Sequence, residues 1–161
     1  MYKRQLHSYP SLLKTLNVEP TTKNTPYDRV DGWKEVIQQA QAIISVPDDS
    51  LVLSNNRLVL SYMVLYNDLP ISRLASWNSD KTIDNQFELV ADLADKTLEQ
   101  IDGRTIYFVS RNELSPKILE RFTNKKILSI VREPVYVDLE RVLYIYSCLL
   151  YTSPSPRDGL L

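Results

Sequence analysis

The chain has 161 residues, of which 43% are hydrophobic and 24% charged, with a formal net charge of -1, values that describe one globular domain able to bury a core. Scattered basic residues leave no electrostatic footprint for nucleic acid, and Cys148 is the only cysteine, which excludes an internal disulfide or a cysteine-built metal cage. The longest apolar run, VLYIYSCLLY at 142–151, is about half of the roughly 20 residues a membrane span requires, and MYKRQLHSYP lacks the apolar run of a signal peptide.

Residues 6–30 are polar and broken by Pro10, Pro20 and Pro26, so they read as a leading segment or linker, with at most a short turn at SLLKTL. From Asp31 onward, Trp33, Val36, Ile37, Ala40, Ile43 and Ile44 recur at helical spacing; Asp31 is expected to cap this helix and Pro47 to close it. SLVLS at 50–54 predicts a strand ending in SNNR, and residues 56–66 predict a helix with Leu58, Val59, Tyr62, Met63 and Tyr66 on one side. ISRLAS at 71–76 predicts the next strand, running into WNSD, whereas ELVADLADKTLEQ fits either a short helix or irregular chain. Gly103 turns the chain into RTIYFVS, the clearest strand, which ends in SRNE. Residues 115–122 predict a helix with Ser115 at its start and Pro116 in its first turn. KILSIV and RVLYIYS predict two final strands, joined through REPVYVDLE as an antiparallel hairpin. Strands alternating with helices predict an α/β fold: a small layered domain with a mainly parallel sheet and helices packed on it.

Both ends change character. CLLYTSPSPRD resembles the translated sequencing adapter that recurs at the ends of metagenomic gene predictions, and YKRQ at 2–5 resembles the matching start. The expected organisation is therefore residues 1–5 and 148–161 as adapter artefact, 6–30 as leading segment, and 31–147 as the α/β soluble domain of a fragment.

In open α/β sheets, ligands bind beyond the carboxyl ends of the strands. The endings SNNR, SWNSD and SRNE place Asn55, Arg57, Trp77, Asn78, Arg111 and Asn112 along one such edge. Amides pair with hydroxyls and guanidinium groups fork onto phosphate oxygens, which suits sugars or phosphates; the same residues also suit plain caps where strands run into polar loops. A catalytic centre is harder to assemble. The three glycines stand alone, so there is no phosphate-cradling loop, and His7, the only histidine, lies in the leading segment. No Asp-x-Asp pair is present to hold a sugar-nucleotide metal; Asp48/Asp49 and Asp92/Asp95 read as surface acids, and Lys125 and Lys126 as a solvated loop. No catalytic residue, metal or cofactor is expected. Tyr62, Tyr66, Tyr107, Tyr136, Tyr144 and Tyr146 fit either core packing or an interface.

The order DRVDGWKEV, LVLSNNRLVLSYMVLYNDLP, ASWNSDKTIDNQFEL, DGRTIYFVSR resembles the C-terminal soluble domain of bacterial polyprenyl-phosphate-sugar-dependent glycosyltransferases. This is the dolichyl-phosphate-mannose–protein mannosyltransferase group, with the lipid A aminoarabinose transferases. Gly32-Trp33-Lys34-Glu35, Trp77-Asn78 and Asn85-Gln86-Phe87-Glu88-Leu89 stand where that family has its corresponding segments; Gln86 departs from a common His. The resemblance implies an integral membrane enzyme of the bacterial cytoplasmic membrane that transfers a sugar from a lipid-linked donor. This domain would lie on the extracytoplasmic, periplasmic side against a missing N-terminal transmembrane domain, and the catalytic acid would lie in that missing part. On this view Trp77 stacks or docks while Asn78 and Asn85 hold their loop. A stand-alone sugar- or phosphate-binding module and a protein-docking module remain open beside it.

Overall fold

A computed structural model describes residues 9–44, 50–78, 81–93 and 104–150. In chain order the elements are α1 (Tyr9–Thr15), α2 (Trp33–Ile43), β1 (Leu51–Ser54), α3 (Arg57–Asn67), β2 (Leu74–Ser76), α4 (Gln86–Val90), β3 (Ile106–Ser110), α5 (Pro116–Leu119), β4 (Phe122–Tyr136) and β5 (Leu139–Leu150). The strands form one sheet in the order β2-β1-β3-β5-β4. It is parallel across β2, β1 and β3 and antiparallel from β3 through β5 to β4. The α/β class is as the sequence indicates, with the parallel part confined to the first three strands.

Strand alternation splits the core in two. On one face, Val52, Leu74, Tyr107, Val109, Leu143 and Ile145 meet the stripe of α2 (Trp33, Val36, Ile37, Ala40) and Val59, Leu60 and Met63 of α3. On the other, Leu51, Leu53, Ile106, Phe108, Tyr146 and Cys148 meet Phe122 and Leu114, with Trp77, Ile118 and Leu119 at the margin. Each large side chain removed from water here contributes about 1.5–3 kcal/mol, so packing on the sheet, rather than intrinsic propensity, holds helices of this length.

Several local expectations are corrected. The cap of α2 is not Asp31 but Gly32, whose φ of 77° is left-handed and which makes no side-chain cap bond. Asp31 instead accepts a hydrogen bond from the Tyr136 hydroxyl. A Cβ at Gly32 would run into Val135 Cγ2 and lie 3.2 Å from Arg141 Cγ, so the β4–β5 hairpin crosses the start of α2 at a distance only glycine permits. Residues Ile71–Arg73 form a 3-10 turn, not strand, closed by Arg73 N on Pro70 O at 2.9 Å, and the Arg73 side chain donates from Nη2 to Ser50 Oγ at 3.0 Å. The helix predicted over 115–122 ends at Leu119; by Phe122 the chain is already paired with Leu150 in β4. Lys125 and Lys126 lie within β4, not in a loop. Residues 148–150, whatever their origin, continue β5, with Cys148 opposite Ile106. Helix closure at Pro47, the turn at Gly103, and His7, Asp48, Asp49 and Asp95 lie outside the described residues.

The leading segment is no free linker. It carries α1, buries Leu13 and Thr25, and is clipped to the hairpin tip, where Thr22 donates to the Asp138 carboxylate from its backbone N–H at 2.9 Å and from its hydroxyl at 2.7 Å. The hairpin reaches past the sheet: Tyr144–Cys148 of β5 pair with β3, whereas Leu139–Leu143 pair with β4 alone. Among the described residues, no helix is long and apolar enough to cross a membrane.

Candidate functional site

The three parallel strands finish on the same residue type. Ser54, Ser76 and Ser110 close β1, β2 and β3 with exposures of 0%, 4% and 1%, and Ser54 lies beside Ser76 in register. Where a strand leaves its sheet, the next backbone groups lose their ladder partners and must find others. Ser54 Oγ accepts from Asn56 N at 3.1 Å and Ser110 Oγ accepts from Asn112 N at 3.3 Å. The Ser110 hydroxyl donates in turn to Asn55 Oδ1 at 3.3 Å, while Trp77 N reaches Ser54 O at 2.9 Å and Ser76 N reaches Ala91 O at 2.7 Å. The repeated endings LVLS, RLAS and YFVS carried this signal, and Ser54 and Ser110 act there as caps for the chain that follows.

Above the serines, Asn56 caps α3 by accepting from Leu58 N at 3.0 Å, so Asn55 and Arg57 flank a helix start and are exposed. Arg111, directly after β3, places its guanidinium carbon 5.5 Å from the centroid of the Trp33 ring, and Arg141 places its own at 5.0 Å. Trp33 stacks on Tyr62 at 5.1 Å, Tyr62 stacks on Tyr66 at 5.5 Å, and the indole N–H donates to Arg29 O at 3.1 Å. Arg141 is buried and donates to the backbone carbonyls of Asp31, at 3.1 Å, and of Asp28. Burial, and then the neighbouring Arg111 charge, push its guanidinium below the usual arginine range, though such a group keeps its proton at neutral pH.

The sequence-derived candidates therefore divide. Asn55 accepts from Ser110 at the end of β3, Arg111, the next residue, lies over Trp33, and Arg57 is exposed in the first turn of α3. Trp77 belongs to the opposite face, half-buried with its ring centroid 5.4 Å from Phe122 and 6.3 Å from Phe108. Asn78 and Asn85 work on the loop between β2 and α4. Asn78 accepts from Lys81 N and donates to Thr82 O, both at 3.0 Å. Asn85 caps α4, accepting from Phe87 N at 3.0 Å and Glu88 N at 3.2 Å, and Glu88 accepts from Asp84 N at 2.7 Å. The polar side chains of this stretch thus satisfy its own backbone N–H groups, while Lys81 takes a left-handed φ of 61°.

No family model, curated protein or solved structure matches the chain. What the edge can do follows from its groups: guanidinium and amide donors that hold oxygen-rich or anionic partners. Among the described residues, no group of three or more His, Cys, Asp or Glu side chains could hold a metal ion. Cys148 is buried, and burial pushes its thiol up to about 12, the opposite of an activated nucleophile.

Proposed function

We propose that this chain is the appended soluble domain of an integral-membrane glycosyltransferase that moves a sugar from a polyprenyl-phosphate donor to a lipid, glycan or protein acceptor. The observation that supports this reading is the convergence of the four family-like segments on one edge of the sheet. Trp33 meets Arg111, Asn55 meets Ser110, Trp77 N bonds to Ser54 O, and the chain after Asn85 returns to Ser76 through Ala91. Segments far apart in sequence are there drawn to a common rim carrying Asn55, Arg57 and Arg111. The rim positions and docks; bond cleavage belongs to the transmembrane part, on the extracytoplasmic side of the bacterial cytoplasmic membrane.

The test is recovery of the complete gene from its source DNA, followed by expression. Several apolar spans of about 20 residues each are expected upstream of Leu6, with the product in the membrane fraction and active on a polyprenyl-phosphate sugar. Arg111→Ala in that protein should lower turnover while leaving its membrane level unchanged. An upstream stop followed by a short, water-soluble product would overturn the reading.

A further inference from the structure

A cavity of about 440 Å³ opens between α1, the chain that follows it and the tip of the β4–β5 hairpin, within the roughly 300–1,000 Å³ typical of small-molecule sites. Tyr9, Tyr27 and Tyr136, with Leu13 and Val18, supply its apolar walls. Two of these tyrosines have their polar ends tied into the protein, Tyr9 donating to Asn24 O and Tyr136 to Asp31 Oδ2, so ring carbon is what they offer a ligand. Asp31 also lines the cavity, and a carboxylate holding one hydroxyl still has acceptor capacity to spare.

The remaining polar groups set the ligand class. The lining is mostly apolar, and Lys14, Asn17, Glu19 and Asp31 are the residues along it with an ammonium, an amide and two carboxylates. Two carboxylates disfavour an anion, and the Lys14 ammonium disfavours a bare cation. Flat apolar walls combined with donors and acceptors of both kinds suit a ring that presents C–H groups on its faces and hydroxyls at its rim. The wall is also built in advance: Thr21 N donates to Asn24 Oδ1 at 2.7 Å, Asn24 Nδ2 donates to Glu19 O at 2.9 Å, and Thr22 is clipped to Asp138. Binding there spends little on ordering the chain.

We infer that this cavity is a carbohydrate subsite that takes one neutral pyranose ring, stacked on tyrosine and hydrogen-bonded to Asp31. Its lining includes neither Asn55 nor Arg111, and it does not depend on a membrane-bound parent, so the two proposals fail separately.

Saturation-transfer NMR on the full chain tests it, with methyl α-glucopyranoside and methyl α-mannopyranoside as probes and cyclohexanol, tetramethylammonium and inorganic phosphate as competitors of other chemistry. At least one glycoside should bind saturably in the millimolar range. Val18→Trp, which fills the cavity from a position 42% exposed, should weaken it at least about tenfold, a loss of about 1.4 kcal/mol, with circular dichroism unchanged. The inference is overturned if the folded chain binds no glycoside, if cyclohexanol or either ion binds more tightly than both sugars, or if folded Val18→Trp binds sugar as the parent does.

Discussion

Replacing Gly32 with alanine tests the join between α2 and the hairpin. Two costs are expected. A Cβ at φ 77° meets its own carbonyl and costs about 1–2 kcal/mol. The same Cβ collides with Val135 Cγ2, and forcing a methyl group into a packed contact adds about 1–3 kcal/mol. Together they remove a large share of the 5–15 kcal/mol typical of a whole domain. In urea, with a slope of about 2 kcal/mol per molar, the midpoint should fall by roughly 1–2.5 M. Near-ultraviolet circular dichroism should change as well, because Trp33 adjoins the substitution and packs against Arg141. Combining Gly32→Ala with Val135→Ala should recover the collision cost but not the dihedral cost, and Gly32→Asn should fare better than alanine on the dihedral alone. A Gly32→Ala protein within about 0.5 kcal/mol of the parent, the usual range for an inconsequential substitution, would refute the reasoning.

Other expectations follow from single contacts. Asn85→Ala removes the acceptor for two backbone N–H groups of α4 and should cost about 1 kcal/mol, with faster amide exchange at Phe87 and Glu88; Asn85→Asp should preserve protection. The Thr22 hydroxyl and N–H hold the Asp138 carboxyl below its ordinary range. The clip is therefore in place above the ordinary aspartate value of about 4 and is lost as pH falls through the lowered folded value, so pepsin should cleave Asp138→Asn within residues 16–27 faster than the parent at the same pH, with the difference closing as pH falls. Tyr136 is raised above its ordinary value, first by burial and then by its bond to Asp31, and Cys148 is raised by burial. Their contribution is complete below the unfolded values of about 8.5 for cysteine and 10 for tyrosine and declines as pH rises through the folded ones. Thermal midpoints should fall across that alkaline window, less so in Tyr136→Phe. For the same reason the Cys148 thiol should resist an aromatic disulfide reagent until the chain is denatured.

Local patterns told most about elements whose partners lie nearby. The stripe from Trp33 to Ile44 and the runs SLVLS and RTIYFVS are legible because periodic burial against one sheet imposes their spacing. The misread positions are those decided by distant chain. Asp31 resembles a cap, but the hairpin more than 100 residues away engages it through Tyr136 and makes Gly32 the only tolerable cap. The leading segment reads as a linker with at most a short turn because its anchor, Asp138, is 116 residues from Thr22. At the rim, Asn55 and Arg111 could be placed from their strand endings, whereas Trp77 could not, since nothing local says which face of β2 its ring will join. Arg141, between apolar strand residues, carried no sign that it would lie over Trp33.

The outer margin of β4 also bears on how the protein behaves in company. Its pairing with β5 slips between Thr123 and Lys126, between Ile127 and Ser129, and between Pro134 and Tyr136, so no regular run is longer than Ser129–Pro134, and that run holds Arg132, Glu133 and Pro134. Ile127 and Ile130 face water there, yet a flat, uncharged, proline-free stretch is what fibrillar stacking demands. A crowded solution of this chain should accordingly stay clear instead of seeding cross-β deposits from that border.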